Sequence, residues 1–320
     1  MRKHLLQAVA ALGLIAGSAG LGASAHAAGD PASCKNISFS NVGWTDISAT
    51  TGTATYILDA LGYKTTTTIL SVPVTFEEMK QKKINVFLGN WMPTMADNIK
   101  PYVDAKTVDV LGANLEGAKY TLAVPTYLFN AGLKSFADIP KFYKELDGKI
   151  YGIEPGNDGN ALILTMIKNN TDGVGKFTLV QSSEQGMLAE VTRKTKDHKG
   201  IVFLGWEPHP MNTKYDMQYL SGGDAIFGPN YGGATVYTNT QGGYVEKCPN
   251  TGKFLTQLKF TLDMENTIMG SIMYDKMDPA PAAAQWLKAN PAAMTPWLAG
   301  VTTFDGSQPA EAVVKKSLGL

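Results

Sequence analysis

Short apolar runs closed by glycine, tryptophan or proline recur along the chain and set its architecture. Ile84-Asn-Val-Phe-Leu-Gly-Asn-Trp91-Met-Pro93 is nearly repeated at Ile201-Val-Phe-Leu-Gly-Trp206-Glu-Pro-His-Pro210, and Phe39-Ser-Asn-Val-Gly-Trp44-Thr-Asp46 ends the same way. A run of four or five apolar residues bounded by such breakers reads as a buried parallel strand, and the carboxyl ends of such strands are where open α/β sheets hold ligands. The pattern predicts three tryptophans delivered to one binding edge from distant parts of the chain.

The same reading places strands at residues 37–42, 65–70, 84–88, 120–125, 149–153, 177–180, 201–204, 217–220 and 234–239. Between them, Ala54, Ile57, Leu58 and Leu61 mark a helix face that Gly62 can end, and Met187, Leu188 and Val191 mark another. Thr75-Phe-Glu-Glu78 and Ser135-Phe-Ala-Asp138 have the spacing of helix-opening boxes, the second leading a helix to Leu146, and residues 160–168 read as a helix. Strand and helix alternate, which predicts an α/β protein. The pattern restarts after residues 120–125, and the stretch from Gly222 to Gly233 is the richest in breakers. Two lobes are therefore expected: residues 31–121 with 236–320, and residues 122–235, joined by hinges near 120–126 and 234–240. The remainder reads as mostly helical, through the Pro-Ala run ending at Ala284, then Trp286, to a last helix near Val313.

Composition narrows the class. With 320 residues the expectation is about two domains, and the equality of 28 basic and 28 acidic residues points to neither nucleic acid nor an anionic membrane. Arg2 and Lys3 precede an apolar stretch from Leu5 to Ile15, and Ala25-His26-Ala27 supplies a small-x-small cleavage site. Residues 1–27 thus read as a secretory signal peptide, which predicts a periplasmic protein. Without Arg2 and Lys3, 26 basic residues face 28 acidic ones, a net of −2. Export gives meaning to Cys34 and Cys248, which are expected to pair in an oxidising compartment. Lipidation at Cys34 and two buried free thiols are the other readings.

Motifs of hydrolases, zinc proteases and nucleotide-binding loops are absent, and past the signal segment only His198 and His209 remain. An enzyme, a metal site and a cofactor are all disfavoured. Gly156-Asn-Asp-Gly159 before a helix is a weak anion-binding signal. The positive signal is aromatic: Trp44, Trp91 and Trp206 follow apolar runs, whereas Trp286 and Trp297 lie among alanines and leucines and read as core. Ring faces with few cationic neighbours suit a cationic ligand, above all a quaternary ammonium, which has no N–H to donate. At roughly 0.5–2 kcal/mol per ring, three or four rings suffice for micromolar binding.

Gly43-Trp-Thr-Asp46, Gly89-Asn-Trp-Met-Pro93, Lys119-Tyr-Thr-Leu-Ala-Val124, Gly156-Asn157 and Gly205-Trp-Glu-Pro-His-Pro210 resemble the substrate-binding proteins of glycine betaine/choline ABC importers over about residues 36–298. The resemblance implies a two-lobed, type II periplasmic-binding-protein fold that closes on its ligand, acts as a monomer and serves a membrane permease. It implies a cage of Trp44, Trp91, Tyr120 and Trp206, with Asp46 and Asn157 holding the hydroxyl of choline. Asp46 also favours a cation over the carboxylate-bearing betaine or carnitine. Glycine betaine, carnitine and acetylcholine remain alternative ligands, and an exported enzyme acting on choline derivatives is the alternative from another class. Thr45 or Asp46 has a plainer reading as a helix cap, Asn157 as a turn residue, and Glu207 and His209 as structural; Lys119 should point away from the site.

Overall fold

A computed structural model describes residues 29–320, so the expected signal peptide lies outside the described residues. The strands are β1 (Asn36–Asn41), β2 (Lys64–Ile69), β3 (Val86–Met92), β4 (Val108–Pro125), β5 (Lys149–Tyr151), β6 (Thr178–Val180), β7 (Phe203–Glu207), β8 (Met217–Tyr219) and β9 (Gly233–Gln241). They lie in the order β2-β1-β3-β9-β4-β7-β5-β6, with β8 against β4. β1 pairs in parallel with β2 and β3, and β5 in parallel with β6 and β7. Parallel neighbours need crossover connections, and helices supply them. The two parallel groups are tied by β4 and β9, an antiparallel pair that reaches β3 on one side and β7 on the other. The chain is an α/β protein of two halves that share these two strands.

β4 runs for 18 residues and begins at Val108, well before the expected start at residue 120. Its first half is hidden from pattern reading because Gly112 and Gly117 have positive φ and the ladder to β9 shifts register around them.

Helix α1 (Thr45–Ala60) also starts earlier than its apolar face suggests. Thr45, Asp46, Thr50, Thr51 and Thr53 are polar yet buried, which erases the amphipathic signal over the first two turns. Gly52 lets α1 approach Pro279, at the start of the helix Pro279–Ala289, more closely than any Cβ would allow.

Helix α2 (Val72–Lys80) begins after Ser71 with Pro73 in its first turn. Thr75, read as its cap, is instead an interior residue whose hydroxyl lies 2.6 Å from that of Ser40. Helix α3 spans Ala96–Asp104 and α4 Thr126–Asn130. Residues Phe136–Phe142 form a 3-10 helix, with Pro140 in its interior, where an α-helix was expected, although Ser135 N–H does donate to Asp138 Oδ2 at 2.9 Å as its box spacing implies. Helices α5 (Asp158–Asn169) and α6 (Glu184–Lys196) pack in the other half.

Cys34 and Cys248 form a disulfide with Cα atoms 5.8 Å apart, joining segments 214 residues distant. Trp297 is buried as expected of core, while Trp286 is only partly covered. Among the described residues no helix is long and apolar enough to cross a membrane.

Candidate ligand-binding site

The predicted aromatic residues come together in the middle of the sheet. Trp91 lies on β3, Tyr120 on β4, Trp206 on β7, and Trp44 at the position just before α1. Tyr120 and Trp206 are direct partners on the β4–β7 ladder, so their side chains leave the same face. Their ring centroids are 6.3 Å apart at 84°, and Tyr120 meets Trp91 at 6.0 Å and 63°. With Trp44, Asp46 and Ile153 these rings line one tight cavity.

Polar bonds hold three of the four rings by their edges. The Trp91 indole N–H donates to Asp46 Oδ2 at 3.1 Å, and the Trp44 indole N–H to Glu154 Oε1 at 3.0 Å. The Tyr120 hydroxyl donates to Asn157 Oδ1 at 2.9 Å. That oxygen also accepts the Asn160 N–H at 2.9 Å, which makes Asn157 the N-cap of α5. Asn157 therefore sits behind Tyr120 and is not among the lining residues, while its Nδ2 reaches Asp158 Oδ1 at 3.2 Å. Gly159 makes room for the phenol, since a Cβ there would overlap the Tyr120 hydroxyl. Asp46 sits in the first turn of α1, but the helix has no side-chain cap bond, so the capping role weighed for Thr45 or Asp46 is not used. Asp46 Oδ1 is buried with no partner at all.

A second tier supports the walls. His209 packs edge-on against Trp206, with centroids 4.8 Å apart. Its Nδ1 accepts the Met211 N–H at 2.9 Å, leaving Nε2 to donate to Glu184 Oε1 at 3.2 Å. Glu184 in turn accepts the Thr45 N–H at 2.8 Å and the Thr45 hydroxyl. Lys119 faces away as expected, 3.9 Å from Glu207.

Acid groups dominate the surroundings. Burial, then the Glu184 charge, pushes the Asp46 carboxyl up to about 8. Burial raises Glu154 to about 7 and Asp158 to about 6, and holds the Tyr120 phenol well above its ordinary range. No lysine or arginine lines the cavity. Carboxyl groups held protonated by desolvation regain their charge when a cation arrives beside them. The arrangement offers ring faces and anionic oxygens, which fits an organic cation and works against a ligand carboxylate.

The sequence reading missed Ile153, Glu154 and Glu184. Glu154 had a usable signal, because it lies just past an apolar run ending at Ile153, as the tryptophans lie just past theirs. Glu184 had none, since an acid in the first turn of a helix is ordinary.

The family described as the substrate-binding domain of an ABC-type glycine betaine transport system matches residues 35–289. An ABC-transporter choline-binding protein solved in complex with choline is 57% identical, with a TM-score of 0.89 over 91% of this chain and all of that one. An ABC-transporter choline-binding protein in an unliganded, semi-closed conformation is 58% identical, with a TM-score of 0.83 over 90% of this chain and all of that one. The glycine betaine/carnitine transport binding protein GbuC of Listeria monocytogenes is 27% identical over 165 residues, covering 52% of this chain and 54% of that protein. The fit to the choline-bound structure is thus better than the fit to the unliganded one.

Proposed function

The chain belongs to the family of substrate-binding domains of ABC-type glycine betaine transport systems, and from that premise we propose that it captures choline outside the cytoplasmic membrane and delivers it to the importer's permease. The observation that carries this reading is Asp46 Oδ1, a buried oxygen without a partner on the wall of a cavity otherwise made of four aromatic rings and Ile153. The trimethylammonium group sits against Trp44, Trp91, Tyr120 and Trp206, where each ring face contributes roughly 0.5–2 kcal/mol. The choline hydroxyl donates to Asp46 Oδ1, and Asn157, whose Oδ1 already accepts from Tyr120 and Asn160 and whose Nδ2 gives one N–H to Asp158, has its second Nδ2–H to donate to the hydroxyl oxygen. The ring-and-carboxylate site is a binding site, and no turnover is part of the role.

The lobes are residues 31–121 with 236–320, and residues 122–235, and the protein closes by bending where β4 and β9 pass between them. A closed form stabilised by ligand needs contacts that exist only when closed, and a cation held by rings from both sides supplies them. Residues 1–27 direct export and are removed, which places the mature protein in the periplasm.

Titration of the purified protein with choline and with glycine betaine, followed by tryptophan fluorescence, tests the reading, since the site is built from the reporter. Micromolar or tighter choline binding, with glycine betaine at least about tenfold weaker, is expected from the charge of the site. Equal or tighter binding of glycine betaine would move the assignment to that ligand.

A further inference from the structure

Thr45 stands between two walls of the cavity, Trp44 and Asp46, at the start of α1. Both of its donors, the backbone N–H and the hydroxyl, go to Glu184, 139 residues away at the start of α6. Glu184 is almost completely buried, and its remaining bond comes from His209, whose ring braces Trp206. One carboxylate therefore touches the residue between two walls on one half and supports a third wall on the other.

No ladder holds this contact together. β1, which leads to α1, is next to one end of the sheet, and β6, which leads to α6, is the other end. The bonds from Thr45 to Glu184 therefore join the two halves away from the sheet's own hydrogen bonds. The second such link, from Trp44 to Glu154, is a single bond to a half-buried carboxylate.

Closing an empty cavity has a cost built into these positions. Asp46 follows Thr45 directly, so fastening Glu184 to Thr45 brings two buried carboxyl groups together, and burial, then the Glu184 charge, works against the ionised form of Asp46 while the cavity is empty. A positive charge in the cavity lets Asp46 ionise beside Glu184, which removes the cost of holding Glu184 against the two donors of Thr45.

We propose that Glu184 is the closure latch of this binding protein, a positioning residue that fastens to Thr45 across the cleft when the ligand in the cavity carries a positive charge. The proposal rests on capture of a quaternary ammonium. It goes further in naming what converts occupancy into closure. The latch acts on how long the ligand stays and not on how fast it enters, because Glu184 does not line the cavity.

The test is stopped-flow tryptophan fluorescence with small-angle scattering on the mature protein, with choline and with 3,3-dimethylbutan-1-ol, a neutral molecule of the same shape. For Glu184→Ala the dissociation rate of choline should rise at least about tenfold while the association rate stays within about threefold. Choline should compact the wild-type protein but not this variant. Thr45→Val, which loses the hydroxyl and keeps the N–H, should show the same change in smaller degree, and decides the matter if Glu184→Ala fails to fold. The neutral alcohol should occupy the wild-type cavity without compaction, and should compact Glu184→Gln, which keeps an acceptor oxygen without the charge. Unchanged dissociation and unchanged compaction in a folded Glu184→Ala or Thr45→Val overturn the latch. If the wild type prefers glycine betaine, the choline assignment falls by itself, and the same variants read with glycine betaine decide the latch.

Discussion

Trp91 and Asp46 share a 3.1 Å hydrogen bond from the indole N–H to Oδ2, and the other Asp46 oxygen is buried without a partner. The indole spends its one donor on fixing the carboxylate, so Asp46 presents Oδ1 in a set direction. An asparagine at this position keeps an acceptor for Trp91, so the change isolates the charge. Asp46→Asn should weaken choline about 10- to 100-fold and narrow the preference over glycine betaine. Calorimetry with both ligands measures this, and unchanged choline affinity would remove Asp46 from the site.

The raised pKa values predict a pH dependence. Asp46 lies at about 8 and Glu154 at about 7 in the empty site, and a cation favours the ionised form of each. Choline binding should therefore release protons near neutral pH, and affinity should climb from about pH 5.5 to about pH 8.5 and then level off. Titrations in buffers of different ionisation enthalpy should give different apparent enthalpies. The sign for stability is the reverse. A folded-state pKa above the unfolded value near 4 gives stability that is complete at low pH and is lost as pH rises through about 8. The rise in melting temperature on adding choline should widen between about pH 5 and pH 8, and a constant rise across that window would count against these ionisations.

The central architecture was legible because strand-end chemistry is local. An apolar run followed by Gly and Trp marks both a strand and its exit, and four of the six predicted ligand residues sit at such exits or in their strands: Trp44, Trp91, Tyr120 and Trp206. The first halves of α1 and β4 were hidden for opposite reasons. In α1 buried threonines bond to backbone carbonyls one turn earlier, as Thr53 does to Ala49 at 2.8 Å, so burial leaves no apolar stripe. In β4 the glycines interrupt an alternation that the ladder tolerates by shifting register. Glu184 was illegible because its role depends on Thr45, and no pattern along the chain links residues 139 positions apart.

Gly159 offers a test of ring placement that leaves every cavity wall in the sequence untouched. A methyl at this position would overlap the Tyr120 hydroxyl, and the phenol cannot retreat because Trp91, Trp206 and Phe227 surround its ring. Gly159→Ala should displace Tyr120, break its bond to Asn157 and weaken choline roughly tenfold or more. The measurement is the same fluorescence titration, paired with thermal unfolding to show that the fold persists.

The Cys34–Cys248 bridge should matter for stability and little for binding. It closes a loop of 214 residues, for which the chain-entropy account allows up to about 5 kcal/mol, with measured values often lower. Replacing both cysteines by serine should lower the melting temperature by roughly 5–15 °C. Neither cysteine lines the cavity, so choline affinity at 25 °C should be unchanged within about twofold.

Trp206 is the wall whose loss should cost most, because two neighbours depend on it. Tyr120 leans edge-on against it at 6.3 Å, and His209 at 4.8 Å, so truncation exposes a gap beside both. Trp206→Ala removes one ring face and frees Tyr120 to tilt, which should weaken choline at least about 100-fold. Trp206→Phe keeps an aromatic face of smaller area and weaker potential, and should cost nearer tenfold. Trp286→Ala, on a partly covered helix away from the cavity, serves as the control and should leave affinity unchanged. The ordering of Ala below Phe below Trp at position 206 is the signature of a ring that binds a cation by its face. A loss of stability in Trp206→Ala without a loss of affinity would make the residue core packing instead.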